Sequence, residues 1–150
     1  MLFQKGSLMT LSIRKVTSEI ELERVYPILK ELRTDLTLRE YFSIYEEAKK
    51  ANQYQIVCAF EESICVGFMG FRVLHDYVHG KHLYIDDLVI TENHRSKGIG
   101  SQLLSFAENA AKEIGCNNLR LCTGISNEAG KKFYEREGWK FRSVVYKKKF

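Results

Sequence analysis

Apolar positions along the chain change their spacing at clear points, from every second residue to every third or fourth and back. Residues 11–16 alternate, with Leu11, Ile13 and Val16 apolar, and predict a first strand. After Ser18, Leu22, Val25, Tyr26, Leu29 and Leu32 fall at i, i+3, i+4, i+7 and i+10, a helical stripe. Pro27 interrupts that stripe, so a kink or break is expected where the backbone loses a donor. Thr37, with Glu40 three residues on, predicts the capped start of a second helix reaching to about Ala51.

The pattern then turns to strands. Residues 55–60 and 64–74 are β-rich, and Glu61-Glu62-Ser63 between them is short enough for a hairpin. Gly67 and Gly70 inside the second run predict a bulge or a close backbone approach. Residues 82–91 read as a further strand after the turn His79-Gly80-Lys81. From Gly98 the period is helical again, through Ile99, Leu103, Phe106, Ala107, Ala110 and Ile114, with Gly115 closing the helix. A short buried strand at 119–122, a helix at about 127–137 stopped by Gly138, and a closing strand at 141–148 complete the chain. The order βαα-βββ-α-β-α-β predicts an α/β domain of the α+β type. Its mixed sheet uses hairpin and crossover connections and is flanked by about four helices.

Bulk properties narrow the picture only a little. The length of 150 residues suits one domain, expected over residues 10–150, with 45% hydrophobic and 28% charged residues. Residues 1–9 fit neither strand nor helix and are expected to be disordered or a remnant, with Met9 the natural start. A net charge of +4 is too small and too scattered to argue for nucleic acid. Arg95, Lys97, Lys131 and Lys132 lie near the Gly-rich turn and could meet a polyanion, or simply form a solvated face. Cys58, Cys65, Cys116 and Cys122 show no CxxC and no metal-ligand spacing. The strand contexts of Cys58, Cys65 and Cys122 predict buried free thiols, suited to a reducing cytoplasm. The four histidines show no ligand pattern either, so no metal is expected; His82 is at most a reserve base. No stretch approaches the roughly 18 apolar residues of a membrane span, and no signal peptide is visible.

The most informative segment joins the strand at 82–91 to the long helix. Arg95-Ser96-Lys97-Gly98-Ile99-Gly100 follows the strand, and the helix starts at once. Glycines remove the Cβ atoms that would keep an anion from backbone N–H groups, and a helix start adds unpaired donors and a favourable dipole. A dinucleotide fingerprint would need a third glycine where Leu103 stands, and a Gly-Lys-Ser/Thr phosphate loop is absent.

In these residues the chain resembles the GNAT superfamily of acyl-CoA-dependent N-acetyltransferases. Arg95, Gly98 and Gly100 match the family's Arg/Gln-x-x-Gly-x-Gly/Ala turn. Asn127, Ala129, Phe133, Tyr134, Gly138 and Trp139 match its Asn followed by a helix ending Tyr-x-x-x-Gly-aromatic. Residues 84–90 look like its bulged central strand, so the likeness spans residues 83–139.

The resemblance implies that the N–H groups of Ser96, Lys97, Gly98, Ile99, Gly100 and Ser101, with Arg95 beside them, hold the CoA diphosphate. It implies that Leu88, Val89 and Ile90 pair with pantetheine as an added strand, and that Asn127 bonds the cofactor. Acetyl-CoA is the donor it implies, and Tyr134 the proton donor to the departing thiolate. A backbone N–H near Leu88 or Val89 is expected to stabilise charge on the thioester oxygen. The attacking amine must lose a proton, since a lysine-like amine has a pKa of about 10.4. Asp86, Asp87 and Glu92 are the available carboxylates; Asp86 matches the acidic residue that several family members place beside the amine. Asp86 and Asp87 point to opposite faces unless a bulge intervenes.

Such a site is expected to transfer an acetyl group to a primary amine of a small cationic molecule or a peptide, by direct attack in a ternary complex. A non-catalytic acyl-CoA sensor is the alternative. Only eleven residues follow Trp139, so a partner subunit could complete the sheet edge and a homodimer is expected. Neither nucleic acid nor membrane is an expected partner.

Overall fold

Two apolar clusters lie on opposite faces of a five-stranded sheet, and the period-2 alternation of the strands separates them. The structure, a computed structural model, describes residues 10–150; the expectations for residues 1–9 lie outside the described residues. In chain order the elements are β1 (Leu11–Val16), α1 (Glu19–Leu32), α2 (Leu38–Asn52), β2 (Gln55–Glu61) and β3 (Ile64–Asp76). Then come β4 (Gly80–Ile90), a 3-10 turn (Glu92–His94), α3 (Ile99–Ile114), β5 (Asn118–Leu121) and α4 (Glu128–Arg136). The sheet runs β1-β2-β3-β4-β5, antiparallel throughout except for the parallel β4–β5 pair that α3 bridges.

In β2, Ile56, Cys58 and Phe60 face the α1/α2 side, while Val57 and Ala59 face α3. The helices answer with single stripes: Leu22, Val25 and Leu29 from α1, Tyr41, Tyr45 and Ala48 from α2, and Ile99, Leu103, Leu104, Ala107 and Ala111 from α3. Thr37 forms the expected capping box, accepting from the Glu40 N–H while the Glu40 carboxylate accepts from the Thr37 N–H.

Three expectations are corrected. The break offered as one outcome at Pro27 does not occur, since α1 is a continuous helix from Glu19 to Leu32. One lost backbone hydrogen bond is outweighed where Leu22, Val25 and Leu29 are buried on a single face. Second, residues 141–148 form no strand: the sheet stops at β5, and residues 140–150 are exposed without regular secondary structure. Alternating residues specify a strand only if an edge is available to pair with, and this tail meets none. Third, Cys122 is exposed because edge strand β5 closes at Leu121, and Cys65 is half-buried because it stands at the turn-side end of β3; only Cys58 of the three is a buried thiol.

Candidate active site

The turn ahead of α3 is built from left-handed residues. Ser96 has φ 61° and Gly98 φ 82°, which tips successive N–H groups toward one concave side. Among the described residues, no protein group accepts a hydrogen bond from the N–H groups of residues 96–101, and the α3 ladder begins with the Gln102 N–H on the Gly98 carbonyl. Those donors stand at the positive end of a sixteen-residue helix. A Cβ at Gly98 would meet open space, so its glycine serves the positive φ. Gly100 has another reason: a Cβ there would press on the Phe133 ring, so the glycine lets α4 lie against α3. The Arg95 Nε donates to the Ile90 carbonyl at 3.0 Å and closes the turn, leaving its terminal nitrogens facing solvent with Lys97.

Next to this cradle the sheet opens. Strands β4 and β5 pair only from His82 with Asn118 to Ile85 with Leu121. Beyond that point β4 continues to Ile90 alone on this side, while its other edge stays paired with β3 through Gly67, Phe68 and Met69. The strand edge at Leu88, Val89 and Ile90 is therefore free to accept an extended chain in the gap. A CoA diphosphate fits the unpaired amides, and pantetheine fits the edge that leads away from them.

A bulge decides where the carboxylates go. Gly70 pairs with Asp87 and Phe71 with Ile85, so Asp86 is the extra residue on β4. Its effect shows in the packing: Ile85 is buried on the α3 side, yet Val89, four residues on, is buried on the α1/α2 side. Asp86 and Asp87 consequently share the α1/α2 face. Asp86 accepts from the Arg72 Nε at 2.8 Å, and Asp87 from the Arg33 Nε at 2.6 Å. Arg33 also donates to the Asp86 carbonyl at 3.3 Å. Burial pushes the Asp86 carboxyl above its ordinary value, and Arg72 offsets this only in part.

A cavity of about 480 Å³ opens on that face, lined by Leu29, Arg33, Tyr41, Tyr45, Tyr54 and Asp87 among others. Asp87, not Asp86, faces this cavity. The Tyr54 ring lies over Gly70, where any Cβ would collide with its hydroxyl, and the Arg72 guanidinium sits 5.5 Å from the ring centre. Burial drives the Tyr54 hydroxyl well above its ordinary value. Sequence reasoning missed Arg33, Arg72 and the three tyrosines. Gly70 was the one local signal, since a glycine in a strand announces a close neighbour without naming it.

On the opposite face, Tyr134 of α4 packs between Phe133 and Trp139, with ring centres 5.1 and 6.0 Å away. Phe133 takes the core place expected of it. Burial raises the Tyr134 hydroxyl above its ordinary value, which keeps it protonated at neutral pH. Asn127 caps α4: its side-chain oxygen accepts from the Gly130 N–H at 3.0 Å and its amide donates to Thr123 at 2.9 Å. Glu92 belongs to the 3-10 turn and is exposed. His82 is wholly buried at the far end of β4, about 20 Å along the strand from Leu88. Asp76, His79 and His82 bring donor atoms within 4.8 Å of one another, and the Arg120 guanidinium stands 3.7 Å from Asp76.

Known proteins resemble this chain in sequence and in fold. The sequence profile of the Acetyltransferase (GNAT) family matches residues 22–139. The uncharacterized N-acetyltransferase YhdJ of Bacillus subtilis (strain 168) is 30% identical over 137 residues, 91% of this chain and 96% of its own. The aminoalkylphosphonate N-acetyltransferase of Salmonella typhimurium is 37% identical over 76 residues, 48% of this chain and 49% of its own. The structure of aminoglycoside N-acetyltransferase AAC(6')-Iy in complex with CoA superposes with a TM-score of 0.82 at 20% identity. That match covers 94% of this chain and 96% of the other, and is a likeness of fold.

Proposed function

This chain belongs to the GNAT family and is an acetyltransferase, and from that premise we propose which acceptor it uses and which residues do the work. The acetyl group goes to a primary amine of a small cationic molecule or a peptide, by direct attack in a ternary complex. The observation that carries this reading is the continuity of two unpaired backbone surfaces, the amides of residues 96–101 and the β4 edge at residues 88–90.

Acetyl-CoA bound there supplies the acyl group as a thioester with a thiolate leaving group. The amides of Ser96, Lys97, Gly98, Ile99, Gly100 and Ser101 bind the diphosphate, and Arg95 adds charge. Leu88, Val89 and Ile90 align the pantetheine arm, and the N–H of Leu88 or Val89 donates to the thioester oxygen. Tyr134 keeps its proton because it is buried, and gives it up only as negative charge grows on the sulfur. Asp87, which lines the cavity, draws the cationic amine, and Asp86, which does not, takes its proton through water. Asn127 holds the start of α4, and so the position of Tyr134 two turns on.

The acceptor enters from the α1/α2 side, where Asp87 and three tyrosine rings line the cavity and suit an ammonium group. The donor occupies the gap between β4 and β5, so the reactants meet through the sheet. Among the described residues no helix is long and apolar enough to cross a membrane, and the free thiols suit a cytoplasmic setting.

The test is thiol release from acetyl-CoA across an amine panel, with calorimetry for CoA. Tyr134→Phe is expected to lower kcat by about 10²-fold while CoA affinity stays unchanged. CoA binding without thiol release for any amine would favour a non-catalytic sensor, and absence of CoA binding would overturn the whole reading.

A further inference from the structure

The hairpin joining β3 to β4 gathers three metal-ligating side chains at the end of β4 away from the anion cradle. Asp76 pairs with Gly80 across the hairpin, and His82 follows Gly80 by two residues, so both side chains stand on one face. Gly80 adds no side chain between them, and His79 enters from the loop at 77–79. His79 Nδ1 lies 3.0 and 3.1 Å from the two Asp76 oxygens, and His82 Nε2 lies 3.8 Å from Asp76 Oδ2. All three donors fall within 4.8 Å of one another.

Hydrogen bonds around the cluster fix what each atom offers. The His82 ring is wholly buried, and its Nδ1 lies 2.9 Å from the Gly80 carbonyl. A carbonyl only accepts, so Nδ1 carries the proton and Nε2 turns a lone pair toward Asp76. One ring nitrogen anchored on a backbone carbonyl, with the other free to bind, is how metal-ligating histidines are held. The His79 backbone N–H and then its ring keep the Asp76 carboxyl below its ordinary value, so it is ionised at neutral pH. Lone pairs on Asp76 Oδ2 and His82 Nε2 therefore face each other, and a cation between them would satisfy both. The Arg120 guanidinium meets this need loosely, at 3.5 Å from Nε2 and 3.7 Å from Asp76. Its carbon also lies 5.9 Å from the centre of the Tyr84 ring, a face to which it can withdraw. The Asn118 amide donates to the His79 carbonyl at 2.9 Å and pins the loop to β5.

We propose that Asp76, His79 and His82 form a binding site for a divalent transition-metal ion, with zinc as the reference. Two imidazoles and one carboxylate suit zinc, nickel or copper, whereas magnesium and calcium take oxygen ligands. Tetrahedral zinc sets its ligands about 3.3 Å apart, so the exposed Asp76 and half-buried His79 close in around the fixed His82. Water takes the fourth position, on the solvent side. Arg120 withdraws as the metal enters, because like charges repel strongly at such short range. The ion ties the loop to both strands of the hairpin. Spacing along the chain predicts no metal here, because the ligands converge only through the turn and the β3–β4 register. The site stands apart from acetyl transfer, about 20 Å along β4 from Leu88.

Calorimetry on the untagged full chain, stripped of metal by a chelator, is expected to show one zinc bound per chain at micromolar concentration, and no magnesium. Cobalt in place of zinc is expected to give the visible absorption of a tetrahedral site. His79→Ala and Asp76→Asn are each expected to weaken zinc binding by more than the about 10–100-fold cost of losing an outer-shell partner. Asp76→Asn keeps the acceptor for the His79 N–H, so circular dichroism should show an intact fold; should either variant fail to fold, the other decides. Arg120→Gln removes the competing cation and is expected to bind zinc more tightly than wild type. Zinc is expected to raise the melting temperature of wild type, a gain reversed by EDTA and absent from Asp76→Asn. No zinc binding, undiminished binding in folded His79→Ala or Asp76→Asn, or weaker binding in Arg120→Gln each overturns the proposal.

Discussion

Asp86 shows how one side chain acquires its properties from three sources. Its identity puts a carboxylate on β4, the bulge chooses its face, and burial sets its proton affinity. Because the folded protein raises its pKa above the unfolded value, the folded state holds this proton the more tightly. The stability contributed is therefore complete below the ordinary carboxylate value of about 3.9 and is lost as pH rises through the folded value. Asp86→Asn removes that dependence. Urea unfolding from pH 3 upward should show wild type losing stability relative to the variant through the acid range, then running parallel to it. A constant difference at every pH would contradict the burial argument. Tyr134 was legible from its place in a helix-Gly-aromatic pattern. The pairing of Asp86 with Arg72 was not, since fourteen residues and a hairpin separate them.

At the level of elements, the bulged β3–β4 pair is the device that makes the site. Without it, Ile85 and Val89 would share a face and Asp86 and Asp87 would be divided between the two faces of the sheet. Gly70 opposes the bulge and lies under Tyr54. Gly70→Ala is expected to lower the melting temperature by several degrees, an overpacking cost of about 1–3 kcal/mol. Tyr54→Phe in the same chain removes the hydroxyl that the new methyl strikes, so the double variant should recover part of the loss. Additive losses in thermal melts would show that the collision is not the cause. The caps and periods of α1, α2 and α3 could be read from local residues, because a helix satisfies its own backbone. Residues 141–148 could be read only as strand-like, because a strand must borrow its partner.

For the molecule as a whole, β4 and β5 part after Ile85 and Leu121, so the proposed site depends on the fold holding that gap open. A ligand bridging the α3 amides and the β4 edge should bind the folded state alone. CoA at about a hundred times its Kd is then expected to stabilise the protein by about 2.7 kcal/mol, visible as a raised melting temperature. No shift would mean that the amides and the edge do not act as one surface. Sequence alone determined the order of elements as far as α4, the glycines and helix start of the turn before α3, and Tyr134 seven residues after Asn127. Each of these is local: it depends on spacing along one helix or one turn. The tertiary structure decided which face each carboxylate takes, which arginines meet them, the aromatic lining of the cavity and the open edge of β5. Those features come from residues tens of positions apart, brought together by sheet register, and register shifts by a single bulged residue that no periodicity announces.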